Sequence, residues 1–215
     1  MDEASIDRSV IFPFSGCADL SAGNAYAREA KERHPERFIR FAAINPREHR
    51  GRTSEDMIRI VREENVNGVM IDPRIHHFSL RSEIIDPLMQ ACATMRLPVL
   101  VHLVGHGLDD CSPAADMARR HPEVIVVVSP LIYCPGWERI ASGEPNLYAD
   151  TAKPFWPAHL DQLVTTLGSD RVLFGSETPM MSPLIELAKF RFSSIEPAIQ
   201  QQVLAGNANR ILLQL

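Results

Sequence analysis

The sequence predicts an α/β chain of the TIM-type (β/α) barrel class, incomplete, with seven recognisable strands. Three observations support this. Apolar, β-rich runs recur seven times along the 215 residues, their centres roughly 22 to 31 residues apart, the length of one strand plus a crossover helix. Several runs are continuously apolar, as parallel strands covered on both faces must be. The gaps between them carry helix start and stop signals.

The runs are Ser9–Phe14, Phe38–Ile44, Asn67–Asp72, Pro98–Leu103, Val124–Ser129, Asn146–Asp150 and Arg171–Ser176. Met1–Ala4 reads as the end of a helix, so a preceding strand and most of its helix are expected to be missing ahead of the first run. Thr53-Ser54-Glu55-Asp56 fits a capping box, with Met57, Ile58, Ile60 and Val61 on one stripe behind it. Asp86-Pro87, Ser112-Pro113 and Ser182-Pro183 each read as an N-cap followed by proline at the first helical position. Leu160, Leu163, Val164 and Leu167 form a helical stripe that Gly168 stops. Helices around Pro197–Ala205 and Asn207–Leu213 end the chain. No linker or composition shift divides residues 1–215, which read as one domain. Seven βα units fall short of the eight strands and about 250 residues of a closed barrel.

Composition narrows the function. Hydrophobic residues are 45% and charged residues 23%, values of a globular chain and not of a disordered one. The longest apolar run is shorter than the roughly 18 residues of a membrane span, and the first residues lack a signal-peptide pattern. A net charge of −5 without a basic block argues against nucleic acid as partner. Cys17, Cys92, Cys111 and Cys134 contain no CxxC pair and read as reduced thiols of a cytoplasmic protein, two or three of them buried.

In a parallel βα array, ligands meet the carboxyl ends of the strands. Those ends carry Ser15 and Gly16, Asn45, Asp72, His102 with His106 beyond it, Ser129-Pro130, Asp150-Thr151 and Ser176-Glu177-Thr178. Three carboxylates and a histidine at such positions predict a polar site. Asp72 before Pro73 also suits a turn, and Asp150 also suits a scaffold role. Arg74 and Lys153 follow strand ends and are candidates to pair a substrate carboxylate, while His76 and His77 read as loop residues. Trp137 and Trp156 fall on βα loops, where they suit either packing or a pocket wall.

Four segments resemble the metal-dependent amidohydrolases of the amidohydrolase-2 type. They are Leu97-Pro98-Val99-Leu100-Val101-His102, Asn146-Leu147-Tyr148-Ala149-Asp150-Thr151, Asp170–Pro179 (DRVLFGSETP) and Gly206–Leu212 (GNANRIL). The family shows LPVLIH, NVYVDTS, DRILFGSDYP and GNAARLL in this order. It includes zinc hydrolases, decarboxylases related to aminocarboxymuconate-semialdehyde decarboxylase, and metal-independent lactonases. The resemblance implies a barrel with its site at the strand carboxyl ends. There, a His-x-His pair on the first strand, a His ending the fifth, often one ending the sixth, and an Asp ending the eighth hold metal. His102 matches the fifth-strand ligand, and Glu177 stands where the Asp is expected.

The chain departs from that pattern. It contains no His-x-His, and Ser129-Pro130 replaces the sixth-strand histidine. A catalytic zinc needs three protein ligands and an open position; direct inheritance supplies His102 and Glu177, with Asp72 or His106 to complete a set. The cofactor expectation is therefore either none or a divalent metal such as zinc. The expected function is hydrolysis, or decarboxylation, of a small carboxylated or cyclic amide or ester. His102 and Glu177 would be catalytic, and Asp72, His106 and Arg74 would bind the small-molecule substrate. A metal-free variant would use Glu177 as base and His102 to polarise the carbonyl. The alternative is a barrel that has lost its metal site and binds a small molecule or a protein partner. The open barrel edges predict cover from the amino-terminal segment, a loop or a second copy in a homo-oligomer; neither nucleic acid nor a membrane is expected as partner.

Overall fold

Alternation with period two divides each strand between two apolar surfaces. The computed structural model describes residues 1–103, 111–131, 136–138, 143–153 and 156–212. In chain order, its main elements are β1 (Ser9–Ile11), α1 (Leu20–Arg33), β2 (Phe38–Ala43), α2 (Ser54–Glu64), β3 (Gly68–Ile71), α3 (Asp86–Met95), β4 (Val99–His102), α4 (Ser112–Arg120) and β5 (Val126–Ser129). They continue with β6 (Leu147–Asp150), α5 (Pro157–Leu167), β7 (Val172–Leu173), α6 (Pro183–Arg191), α7 (Pro197–Gln201) and α8 (Asn207–Leu212). The strands pair in parallel in their sequence order, from β1 to β7, and the sheet curls into an incomplete barrel.

Phe41, Ala43, Met70, Leu100, Val127 and Tyr148 line the concave side, joined from below by Ile211 and Leu212 of α8. Ala42, Val69, Ile71, Val99, Val101, Val126 and Val128 point outward to Met57, Val61, Leu88, Met117 and Leu160 on the helices. Each large side chain so buried contributes about 1.5–3 kcal/mol. Phe41 faces Gly68 in the ladder, and a Cβ on Gly68 would lie 2.4 Å from its ring. The missing side chain is what lets the ring fill the amino end of the interior.

The ends of the sheet are finished without a β1–β7 ladder. β1 pairs only as far as Ile11 with Arg40, which leaves the amide of Ala43 beyond its reach. The Asn24 side chain on α1 takes that place, accepting the Ala43 N–H and donating to its carbonyl, both at 2.9 Å. At the other edge, β7 is shorter than the Arg171–Ser176 run. The Phe174 N–H donates to the Val203 carbonyl at 3.0 Å, in the π-helical turn Gln202–Gly206, and not to a strand. The 3-10 turn Asp2–Ala4 packs against α6, so helical contacts bring the two ends of the sheet together. No helix of the described residues is long and apolar enough to cross a membrane.

The capping signals resolve into two kinds. Thr53 and Asp56 form the expected box, and Ser182 accepts the Leu184 N–H. Asp86 and Ser112 are helical residues instead, with Ile85 and Cys111 as N-caps. The 3-10 turn Glu83–Ile85, capped by Ser82, runs straight into α3, and the Asp86 carboxylate pairs with Arg120 and His121. The Ser112 hydroxyl accepts from Arg81 at 2.6 Å, which takes it away from its helix. Cys92 and Cys111 are buried and Cys17 is exposed.

Candidate active site

The alternation that points Met70, Leu100, Val127 and Tyr148 inward also points Asp72, His102, Ser129 and Asp150 inward, two residues further along each strand. The apolar interior therefore ends in a polar layer at the strand carboxyl ends. Register places His102 directly opposite Ser129.

Asp72 is fully buried. Its Oδ1 accepts the Ile75 N–H at 2.9 Å, closing the turn after Pro73. Its Oδ2 accepts the Ser15 hydroxyl at 2.6 Å and lies 3.1 Å from His102 Nδ1. The turn reading and the site reading of Asp72 thus hold together, one on each oxygen. Both oxygens are engaged by the protein, so Asp72 faces His102 and not an open volume. Burial alone would raise its pKa, but the hydrogen bonds from His102, Ser15 and Ile75 hold it below the usual carboxylate range.

With Nδ1 committed to Asp72, His102 turns Nε2 toward Glu177 Oε1, 3.6 Å away, a charge contact too long for a hydrogen bond. Burial favours the neutral ring, yet the Asp72 hydrogen bond and the facing Glu177 carboxylate outweigh it and push the His102 pKa up to about 9. Glu177 sits in the left-handed region, at φ 50°, a strained conformation for a residue with a side chain. Its Oε1 also takes the Lys153 ammonium at 2.7 Å. Its Oε2 is buried without a hydrogen-bond partner among the described residues. Burial would raise its pKa; the His102 and Lys153 cations lower it below the ordinary value.

Asp150 completes the layer. It accepts the Ala152 N–H at 3.2 Å and the Ser129 hydroxyl, and it packs so close to Gly175 that a Cβ there would meet Asp150 Oδ2 at 2.7 Å. Desolvation dominates and pushes its carboxyl up to about 6. Lys153, at φ 72°, is set by α6: buried Glu186 accepts the Lys153 N–H, and buried Lys189 donates to Glu186 and, at 3.3 Å, to the Thr151 carbonyl.

The structure therefore brings His102, Glu177 and Asp72 together. Arg74 is exposed in the turn after β3. His106 lies outside the described residues. Lys153 was one of two candidate cations in the sequence, and its position on Glu177 singles it out. Ser15 and Asp150 are strand-end residues, and His76 lies in the loop after Asp72. His76 is buried with Nε2 3.1 Å from the Ser15 carbonyl, and the signal for Ser15 and Asp150 was their place at strand ends. Trp137 is buried, whereas Trp156 is exposed.

Among the described residues, the donor set does not fit a catalytic metal. Among the described residues no three His, Cys, Asp or Glu side chains are grouped to hold an ion. His102 spends one nitrogen on Asp72, and an ammonium already occupies Glu177 Oε1.

Parallel strands in sequence order, with polar residues gathered at their carboxyl ends, define the TIM-type barrel class. The amidohydrolase family model matches residues 17–213, and the chain belongs to that family. No curated protein matches the sequence. Among solved structures, the chain is similar to 5-carboxyvanillate decarboxylase LigW from Sphingomonas paucimobilis, with TM-score 0.79, 17% identity, and 99% of this chain and 81% of that one covered. It is also similar to an uncharacterised TIM-barrel protein, Bb4693, from Bordetella bronchiseptica, with TM-score 0.80, 21% identity, and 100% and 80% covered. A third is 4-oxalomesaconate hydratase LigJ from Rhodopseudomonas palustris, with TM-score 0.77, 19% identity, and 100% and 78% covered.

Proposed function

We propose that this chain is a cytoplasmic enzyme that hydrolyses a small carboxylated or cyclic amide or ester, with Glu177 as general base and His102 as the group that polarises the carbonyl. The observation that carries this reading is the buried Oε2 of Glu177, without a hydrogen-bond partner among the described residues, beside the His102 imidazolium. A buried acceptor without a donor is poised for a water or a substrate hydroxyl. Glu177 is held ionised and His102 protonated, the states that a base and an electrophile require. In hydrolysis, Glu177 takes a proton from water while the oxygen attacks the carbonyl carbon. The charge that forms on the carbonyl oxygen faces His102. When the intermediate collapses, the leaving oxygen or nitrogen receives the proton from Glu177. Asp72 orients His102 and does not touch the substrate.

Decarboxylation of a related acid is the second reading, favoured by the structural likeness to a decarboxylase. The electron pair of the broken C–C bond would stay on the substrate carbon, which would then take a proton from His102. A panel of lactones, cyclic amides and aromatic carboxylates, assayed with the wild-type chain and Glu177→Gln, tests both readings. Loss of about 10²–10⁴-fold in rate is expected for the variant. A variant as active as wild type would overturn the role of Glu177. Ligand-induced thermal shifts without turnover of any compound would favour the non-catalytic alternative.

A further inference from the structure

We propose that the Lys153 ammonium is a built-in cation that takes the place of a divalent metal in this site. The inference rests on reading His102 and Glu177 as the site, but it concerns what neutralises Glu177 and not which reaction follows. Glu177 stands where the family resemblance puts a metal-ligating carboxylate, and its Oε1 holds Lys153 Nζ at 2.7 Å. A dication seated on that oxygen would lie against a fixed positive charge.

Lys153 is not a surface lysine that happens to reach inward. Its side chain is mostly buried, and its main chain is held in the left-handed region at φ 72°. Two charged residues of α6 impose that conformation. Glu186, whose side chain is fully buried, accepts the Lys153 N–H, and Lys189 ties Glu186 to the Thr151 carbonyl. Burying an ion pair is costly; here its bonds reach the two peptide groups that aim Lys153, while Glu186 Oε1 stays without a partner among the described residues. Glu186 and Lys189 are positioning residues, and Lys153 is the group that they place. In this arrangement, Lys153 and His102 both face Glu177 Oε1, at 2.7 and 3.6 Å, without a metal between them.

Metal uptake by the full-length chain tests the proposal, independently of any turnover. After equilibration with about 10 μM Mn²⁺ or Zn²⁺ and removal of free ion, wild type should retain less than about a tenth of an equivalent, measured by mass spectrometry of the metal and by calorimetry. Lys153→Met frees Glu177 and should raise affinity by about tenfold or more, while Lys153→Arg, which keeps the charge, should not. Lys153→Gln gives the same reading if the methionine variant does not fold. Near-stoichiometric binding by wild type that is lost in Glu177→Gln would overturn the proposal, as would folded Lys153→Met and Lys153→Gln proteins that bind no more metal than wild type. An inactive wild-type chain that still excludes metal through Lys153 would refute the enzyme reading alone.

Discussion

Raising the pH from 6.5 to 9 should destabilise this protein through one side chain, His102. In the unfolded chain its ring loses its proton near 6.5; in the folded chain it keeps the proton to about 9. Across that window the folded state carries one proton more. The stabilisation is therefore complete below 6.5 and is lost as the pH climbs through 9. The slope is about 1.4 kcal/mol per pH unit, and over the whole window the loss is about 3 kcal/mol. Asp150, raised to about 6, titrates below this range and Cys92, raised to about 12, above it; comparing wild type with a His102 variant cancels the contributions of the other groups. Urea denaturation of wild type and His102→Gln at several pH values between 6.5 and 9 measures the effect. The variant should be less stable at pH 6.5, with the gap closing toward pH 9. Parallel curves would refute the reasoning, because they would mean that Asp72 and Glu177 do not hold the proton on the ring.

Asp150→Asn should behave in the opposite sense. A carboxyl raised from 3.8 to about 6 costs stability above pH 6 and none below 3.8, so the variant should gain up to about 3 kcal/mol at pH 7.5 and nothing near pH 4 in the same denaturation assay. Asn146→Ala should cost about 2 kcal/mol, read as a fall in Tm, since one amide serves the Ala118, His121 and Val124 carbonyls at the end of α4. Gly68→Ala should cost about 1–3 kcal/mol by forcing the Phe41 ring out of the interior; an unchanged Tm would show that the ring can move aside freely.

The strand pattern made the fold legible because parallel strands buried on both faces must be apolar at consecutive positions, as in Val99–Val101 and Val126–Val128. Several motif residues that carry the family resemblance turn out to be scaffold. Asn146 holds the end of α4, Asn207 donates to the Ser169 and Val172 carbonyls, and Arg171 reaches the Leu167 and Glu144 carbonyls. That is why they were readable: main-chain geometry fixes their identity. The site was legible only in outline. Asp72, His102 and Glu177 stood out as polar residues ending apolar runs, but nothing in the sequence shows that Asp72 would be consumed by His102, Ser15 and a turn at once. Lys153 depends on Glu186 and Lys189, more than thirty residues away, and on a left-handed turn that no local pattern announces. The helix starts at Asp86 and Ser112 were displaced for a similar reason, since distant arginines claimed their side chains.

The Asn24 amide has a consequence for the rim at the carboxyl ends of the strands. By standing in for a strand residue beside Ala43, it lets the first strand break off early without leaving an orphaned peptide group. The chain is thereby released to travel across the rim, where Ser15 reaches the Asp72 carboxylate two strands away. One borrowed side chain thus uncouples the length of a strand from the reach of the loop that follows it.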